Sequence, residues 1–245
     1  MTKVVAIVAA RMGSQRLPGK HLEDLGGRPM LSHVLERAQA INLVDQVVLA
    51  TTTSPEDDAL LPVATAADVP VFRRQDPDDV LGRYAACAAA YHADVVIRIT
   101  ADCPLFDPAL ATLALVVHER VADRETVTTI PASLWLDGLD VEIFGASWLA
   151  TAHHTVPALA MGGQDYREHV TGWLRDFGAV REVAPLDGER DLLDQLPAGS
   201  QKWSVDTPAD LARVRAILQA GIRHDQLDWR NTLDAALRAA GVTPT

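Results

Sequence analysis

Short apolar runs alternate with segments of helical periodicity along the first half of the chain. Val4–Val8 is β-branched and nearly all apolar, which is typical of a strand buried on both faces of a sheet. The pattern predicts strands at Val4–Val8, Gln46–Ala50, Val69–Phe72 and Asp94–Thr100, and helices at Met30–Ala40, Pro55–Ala67, Pro77–Tyr91 and Pro108–Arg120. Ser54, followed by Asp57, indicates a side-chain cap for the second of these helices. The alternation predicts an α/β fold with a mainly parallel sheet, helices on both faces and ligands at the carboxyl ends of the strands.

The second half of the chain is less regular. Its pattern predicts strands at Thr126–Ile130, Leu139–Phe144, Val180–Ala184 and Lys202–Val205, and helices at Ala146–His153, Gln164–Phe177, Pro208–Leu218 and Asp228–Ala240. Asp187–Gly199 is polar and rich in turn-forming residues, so we expect a loop or lid there. We expect one α/β domain over residues 1–222 and a C-terminal helical tail over residues 223–245.

Composition narrows the classes of partner. The chain has 245 residues, 48% of them hydrophobic, and a formal net charge of −11, which argues against a nucleic-acid or anionic membrane surface. Its two cysteines, Cys87 and Cys103, have no zinc or disulfide pattern, so we expect a structural role in a reducing compartment. No signal peptide or apolar segment of membrane length is present. We therefore expect a soluble cytoplasmic protein.

Positive charge is concentrated in the loop after the first strand. Ala9–Lys20 contains two glycines, which let the backbone approach a ligand, together with Arg11, Arg16 and Lys20. This combination at the carboxyl end of a strand favours binding of the phosphates of a nucleoside triphosphate. The loop is not a Walker motif, because its glycine spacing differs. An arginine-rich surface loop is the alternative on this segment alone.

Two carboxylates follow predicted buried strands. Asp102 comes after Arg98–Ala101, and Asp206 comes after Trp203–Val205. Carboxylates at this edge of a sheet could hold Mg²⁺, which prefers oxygen ligands and substrate phosphates. Each residue taken alone also fits a helix cap or a turn, which is the common role of Asp in such positions.

Further polar groups have two interpretations each. The hydroxyls of Thr51–Thr53 end the second strand, where they meet either a nucleotide or a polar turn. Arg83 lies near a helix start from which it could reach the same ligand. Asp140 and Glu142 share one strand face, either at a solvated edge or in a substrate site. Arg167–His169 forms a polar cluster in a predicted helix. The cluster has either a functional or a purely structural role.

Taken together, these segments closely resemble the cytidylyltransferases that activate acidic sugars. That group includes the CMP-Kdo and CMP-acylneuraminate synthetases, and the spore-coat polysaccharide biosynthesis proteins match best. The resemblance covers roughly residues 3–218. The matching segments, in chain order, are Ala10–Lys20, Ala50–Asp58, Asp79–Tyr84, Arg98–Leu105, Asp137–Glu142, Arg167–Thr171 and Trp203–Leu211. Ala101 stands where glycine is usual and Gln15 where threonine is common.

The resemblance implies a nucleotide-diphospho-sugar transferase (Rossmann-like) fold with a smaller second-half sub-lobe. It implies a nucleotide-binding half at 1–122, a substrate and dimerisation sub-lobe at 123–200, and a return strand and helix at 201–222. The implied catalytic residues are Arg11, Lys20, Asp102 and Asp206, of which Asp102 and Asp206 hold Mg²⁺. The resemblance assigns the triphosphate to Arg11, Ser14, Arg16 and Lys20. With the candidates from the residues themselves, the expected nucleotide-binding residues are Ala9, Ala10, Arg11, Gly13, Ser14, Arg16, Lys20, Thr51, Thr52 and Arg83. The expected acceptor-binding residues are Asp140, Glu142, Glu168 and His169.

The implied activity is Mg²⁺-dependent transfer of CMP from CTP to an acidic sugar of the 2-keto-3-deoxy acid type, with release of pyrophosphate, for surface polysaccharide biosynthesis. A homodimer is also expected from the resemblance. Two alternatives stay open from the residues: a metal-dependent glycosyltransferase of the same fold, and a non-catalytic nucleotide-binding subunit.

Overall fold

A seven-stranded sheet forms the centre of the molecule, in the order β3-β2-β1-β4-β6-β5-β7. The computed structural model describes residues 2–121, 123–156, 165–197, 199–222 and 228–242. The strands are β1 Val4–Ala9, β2 Gln46–Thr52, β3 Val71–Arg74, β4 Val95–Thr100, β5 Thr126–Ile130, β6 Val141–Gly145 and β7 Ala179–Glu182. The strands β1 to β4 pair in parallel, as do β5 and β7, whereas β6 is antiparallel to both β4 and β5. The mainly parallel sheet is therefore confirmed, with β6 reversed.

Helices cover both faces of this sheet, as predicted. They are α1 Met30–Gln39, α2 Leu61–Ala66, α3 Val80–Ala90, α4 Pro108–Glu119, α5 Ala146–Thr155, α6 Gly172–Phe177, α7 Asp187–Leu193, α8 Pro208–Gln219 and α9 Trp229–Ala239. Side chains of β1 alternate between two hydrophobic clusters: Val4 and Val8 join the cluster with α1, α4, α8 and α9, and Ile7 joins the one with α3, α5 and α6. Burial of β1 on both faces is confirmed. The free cysteines are buried within these clusters.

The predicted helix Pro55–Ala67 is divided in two. Residues Pro55–Leu60 form a 3₁₀ helix and α2 follows. Pro62 at the start of α2 lacks the N–H that a continuous α-helix needs, which explains the division. The predicted Ser54 cap is wrong, because its side chain makes no capping hydrogen bond. Asp57 instead accepts hydrogen bonds from elsewhere in the fold.

The predicted strand Lys202–Val205 does not form. Both Trp203 N–H and Ser204 N–H donate to the single carbonyl of Asp137, so no regular ladder can continue. Lys202 makes one isolated bridge to Asp137. Gly138 permits this close approach, since a Cβ there would lie 2.5 Å from the Ser204 nitrogen. The segment consequently lies beside the turn before β6.

Two other segments of the second half differ from prediction. Of the predicted helix Gln164–Phe177, residues 165–171 form turns and the helix begins at Gly172, while Gln164 lies outside the described residues. Asp165 Oδ1 accepts from the Arg167 and Glu168 N–H groups, which diverts them from helical bonding. The predicted loop Asp187–Gly199 contains α7, since Glu189 binds the Leu186 N–H and Leu193 is buried.

The predicted C-terminal helix is confirmed as α9, and it packs on the domain. Trp229 is 2% exposed and meets Trp135 edge to face, with ring centroids 5.5 Å apart. The Trp229 N–H donates to Asp107, the N-cap of α4, at 2.7 Å. Of the predicted tail, residues 223–227 and 243–245 lie outside the described residues. None of the described helices is long and apolar enough to cross a bilayer.

Candidate active site

A cavity of about 600 Å³ opens at the carboxyl ends of β1 and β4. We call it the first cavity. The sequence-predicted residues that line it are Ala9, Ala10, Arg11, Gly13, Ser14, Arg16, Lys20, Arg83, Asp102, Glu168 and Asp206. The fold thus brings the glycine- and arginine-containing loop to the two carboxylates, which come from distant parts of the chain. Glu168, expected in an acceptor site, lies here instead.

Lys20 stands at the centre of this arrangement. Gly19 adopts a φ of 73°, a conformation that favours glycine, and so directs the chain into the 3₁₀ turn Lys20–Leu22. The buried Lys20 Nζ lies 3.1 Å from Asp102 Oδ2, 3.2 Å from Asp206 Oδ1 and 2.8 Å from the Val205 carbonyl. One ammonium therefore contacts both predicted metal-binding carboxylates, which converge on a single point.

The charge of Asp102 is stabilised by its surroundings. Burial works to raise the pKa of Asp102, but the charge of Lys20 and hydrogen bonds from Lys20 and Thr100 outweigh it. The pKa consequently lies below its ordinary value. Asp102 is therefore a carboxylate at neutral pH, as a metal ligand must be.

Asp206 is held by two further cations, Arg16 and Lys202, of which the sequence singled out only Arg16. Its Oδ1 lies 3.0 Å from Arg16 Nη2, and its Oδ2 lies 3.0 Å from Lys202 Nζ. Lys202 Nζ also donates to Asp210 Oδ2 at 2.9 Å. Asp210 in turn accepts from the Asp206 and Thr207 N–H groups, which fixes the backbone of Asp206 at the start of α8. The signal for Asp210 was the Thr207–Asp210 spacing of a capping box.

Thr51 and Thr52, which the sequence placed at the nucleotide, do not line the first cavity. Both residues are fully buried beneath the loop. Thr52 Oγ1 donates to Asp57 Oδ2, and Asp57 Oδ1 accepts from the Met12 N–H at 2.7 Å. Asp57 thus anchors the loop to the end of β2. Its place in the sequence indicated only a helix start, since nothing local pointed to its distant partner.

Two arginines, Arg11 and Arg83, also line the first cavity. Arg11 Nη1 contacts Asp78 Oδ1 and the Pro77 carbonyl, each at 3.0 Å. Arg83 is 2% exposed, and burial lowers its pKa from the ordinary value. Its Nε has no hydrogen-bond partner among the described residues. A buried cation with an unused donor favours an anionic ligand in this cavity.

A second cavity of about 510 Å³ adjoins the first. Its walls contain Asp140, Glu142 and His169, which sequence analysis placed in an acceptor site, as well as Arg98 and Arg175. Asp140 accepts from the Gly138 and Ala132 N–H groups. Burial raises the pKa of Asp140 above its ordinary value. Since the two cavities share the walls formed by Asp102 and Asp206, ligands bound in both would meet there.

Comparison with known proteins decides the family. A family model described as cytidylyltransferase matches residues 5–190. The chain belongs to the cytidylyltransferase family. This cytidylyltransferase is 29% identical to the spore coat polysaccharide biosynthesis protein SpsF of Bacillus subtilis (strain 168), over 92% of this chain and 90% of that protein. It is 30% identical to a 3-deoxy-manno-octulosonate cytidylyltransferase of Anaeromyxobacter dehalogenans (strain 2CP-C), over 90% of this chain and all of that protein.

Solved structures agree with this assignment. A cytidylyltransferase from Leptospira borgpetersenii superposes with a TM-score of 0.84 at 25% identity, covering 98% of this chain and 96% of that one. A CMP:2-keto-3-deoxy-manno-octonic acid synthetase complexed with CTP superposes with a TM-score of 0.63 at 21% identity, covering 89% and 99% of the two chains. The second match supports the fold. The nucleotidyltransferase fold expected from the sequence is thereby confirmed.

Proposed function

We propose that this cytidylyltransferase transfers CMP from CTP to the hydroxyl of a 2-keto-3-deoxy sugar acid, releasing pyrophosphate, and that it requires Mg²⁺. The observation that carries the proposal is the contact of Lys20 with Asp102 and Asp206 where the two cavities adjoin. The similarity to a 3-deoxy-manno-octulosonate cytidylyltransferase supports the acceptor class. The similarity to SpsF supports a role in surface polysaccharide biosynthesis.

The residues of the first cavity suit a triphosphate. Arg11, Arg16 and Lys20 present three cations around it. The two arginines would bind the phosphate oxygens, and all three charges would offset the charge that builds on pyrophosphate as it leaves. Phosphates bound there would direct the α-phosphorus towards the second cavity, in position for in-line attack.

The donor set fits Mg²⁺. Asp102 and Asp206 supply carboxylate oxygens where the two cavities adjoin, and Mg²⁺ commonly takes one or two carboxylates together with substrate phosphates and water. Lys20 Nζ lies against one oxygen of each carboxylate, so the ion would bind through their other oxygens or take the place of the ammonium. The described residues contain no group of three or more His, Cys, Asp or Glu suited to a metal. The remaining ligands would therefore come from the nucleotide and water. When bound, the ion would offset negative charge on the α-phosphate.

In the proposed reaction the acceptor occupies the second cavity. Its hydroxyl oxygen gives up its proton to solvent and forms a bond to the α-phosphorus, while the bond between that phosphorus and the oxygen bridging to the β-phosphate breaks. Arg11 and Arg16 would bind the departing pyrophosphate, and the buried charge of Lys20 would help to offset its negative charge. The protein thus contributes orientation and charge, which are the main sources of catalysis in phosphoryl-type transfers.

Pyrophosphate release tests the proposal directly. The assay pairs CTP, UTP, GTP and ATP with 3-deoxy-manno-octulosonate, N-acetylneuraminate and neutral sugars, with Mg²⁺ or with EDTA. We expect release with CTP and a sugar acid, abolished by EDTA. Release with a neutral sugar alone would contradict the acceptor class, and full activity in EDTA would contradict the metal. Transfer of sugar from a CMP-sugar without pyrophosphate release would favour a glycosyltransferase.

A further inference from the structure

Arg98 lies at the boundary between the first and second cavities. The described residues that line both cavities are Arg98, Thr100, Asp102 and Asp206. Within that set Arg98 is the cation, whereas Asp102 and Asp206 carry negative charge. An anionic group at the boundary would be repelled by the two carboxylates and attracted by Arg98.

Glu142 holds the guanidinium of Arg98 in place. The two residues are paired directly across β4 and β6, and Arg98 Nη1 donates to Glu142 Oε2 at 2.6 Å. Glu142 is buried, and both of its oxygens also accept from Thr171 Oγ1 at 2.9 Å. Arg175 Nη1 lies 3.4 Å from Glu142 Oε1. Because the carboxylate is occupied by protein donors, Glu142 acts here as a positioning residue.

This cluster retains positive charge and one unused donor. Glu142 carries one negative charge and faces two guanidinium groups, those of Arg98 and Arg175. Arg98 Nε is buried and has no hydrogen-bond partner among the described residues. Arginine binds carboxylates through two parallel N–H groups when both are available. The arrangement therefore favours an anion beside Arg98.

The chemistry of the proposed acceptor places an anion at this boundary. In the ring form of a 2-keto-3-deoxy acid, the attacking hydroxyl and the carboxylate are attached to the same carbon. When the hydroxyl reaches the α-phosphorus, the carboxylate must lie within a few ångströms of it. Resting on the proposed function, we propose that Arg98 binds the acceptor carboxylate and thereby selects sugar acids.

The test measures acceptor and nucleotide dependence separately. For Arg98→Gln we expect the KM for 3-deoxy-manno-octulosonate to rise about 10- to 100-fold, as befits loss of a hydrogen bond to a charged group. The KM for CTP should change less than about twofold. For the carboxamide of the same sugar, the wild type should have a KM as high as that of Arg98→Gln, since the amide gives the guanidinium no charge to bind.

Controls separate this role from folding. The double variant Arg98→Gln/Glu142→Gln removes both charges of the pair, so that no buried carboxylate is left without Arg98. It should show the same loss of acid preference as the single variant. Arg28→Gln breaks an ion pair with Glu36, in which the N–O distance is also 2.6 Å. That pair lies outside both cavities, so the variant should leave both KM values unchanged. Thermal unfolding checks that each variant is folded.

The outcomes distinguish the two proposals. If the wild type uses the sugar acid and Arg98→Gln retains its acid-to-amide preference, this inference is wrong and the proposed function stands. An increase in the KM for CTP matching that for the acid would also overturn the inference. If the wild type uses only neutral acceptors, or uses no sugar acid of the panel, the acceptor class fails and this inference fails with it.

Discussion

At the scale of single residues, Lys20 shows how charge is accommodated at the floor of the first cavity. A buried ammonium is costly unless it is paired and hydrogen-bonded. Lys20 meets this requirement with Asp102, Asp206 and the Val205 carbonyl. The same contacts hold the two carboxylates together despite their mutual repulsion. A nucleotide entering the cavity therefore meets charges that are already oriented.

Replacement of these charges should strongly reduce turnover without unfolding the protein. We expect Lys20→Met and Asp102→Asn each to reduce CTP-dependent pyrophosphate release by about 10²–10³-fold, the typical cost of losing one preorganised charge. Steady-state assays with the sugar acid measure the rate, and circular dichroism verifies the fold. Near-normal activity in either variant would remove that residue from the catalytic set.

A buried histidine should make the protein less stable in mild acid. Burial lowers the pKa of His33 from 6.5 to about 4, and its Nε2 bonds to the Leu25 carbonyl. Between these values the unfolded chain binds a proton that the folded chain does not. The free energy of unfolding should therefore fall as the pH drops from about 6.5 towards 4, by up to about 1.4 kcal/mol per pH unit for this residue.

Urea unfolding at pH 7 and pH 5 measures this effect. His33→Gln should be less sensitive to pH than the wild type over this interval. Some dependence should remain, because burial also lowers the pKa of His21 to about 4. An identical change in the variant and the wild type would show that His33 does not titrate in this way.

At the scale of elements, the start of α8 joins helix capping to the site. Thr207 caps the helix and Asp210 completes the capping box. The same Asp210 binds Lys202, which contacts Asp206. Burial opposes the charged form of Asp210, but hydrogen bonds from Lys202 and Arg213 outweigh this and hold its pKa below the ordinary value. The cap therefore also orients a predicted metal ligand.

Removal of this carboxylate should affect stability and activity together. We expect Asp210→Ala to lower the free energy of unfolding by about 1–2 kcal/mol and to reduce kcat, since Asp206 loses its backbone support. Asp228→Ala removes the cap of α9, away from both cavities, and is a matched control. It should cost similar stability with kcat retained. Equal losses of kcat in both variants would contradict a specific link to Asp206.

At the scale of the whole molecule, α9 closes the larger hydrophobic cluster. Trp229, Leu233 and Leu237 on one face of the helix are buried in it. Trp135, against which Trp229 packs, donates its indole N–H to the Val183 carbonyl at 2.7 Å. Helix α9 is thus part of the domain core rather than an appendage on its surface.

Truncation of Trp229 should destabilise the entire domain. We expect Trp229→Ala to lower the free energy of unfolding by about 3–5 kcal/mol, because it leaves a cavity and removes the ring contact with Trp135. For a domain of this size that loss corresponds to a fall in Tm of about 10 °C, which calorimetry measures. Leu186→Ala, at a residue 74% exposed, should change stability by less than about 0.5 kcal/mol. A matching small effect at Trp229 would mean that α9 is not part of the cooperative unit.

The sequence by itself determined the local elements and the chemistry of the loop. Apolar periodicity located β1 and α1, because the pattern of neighbouring residues shows whether a strand, or one face of a helix, is buried. The glycines and cations of Ala9–Lys20 are likewise contiguous, so their phosphate-binding character was visible. Predictions were wrong where a local pattern had a distant competitor, as at Lys202–Val205, where the Trp203 and Ser204 N–H groups both donate to the Asp137 carbonyl.

Only the tertiary structure decided which distant groups meet. The contacts of Asp57 with Met12, of Glu142 with Arg98, and of Lys202 with Asp206 depend on strand order and loop packing. The reversal of β6 was equally hidden, because a buried strand has the same hydrophobic pattern in either direction. Periodicity records which side of an element is buried, whereas the identity of its neighbour is set by the packing of the whole chain.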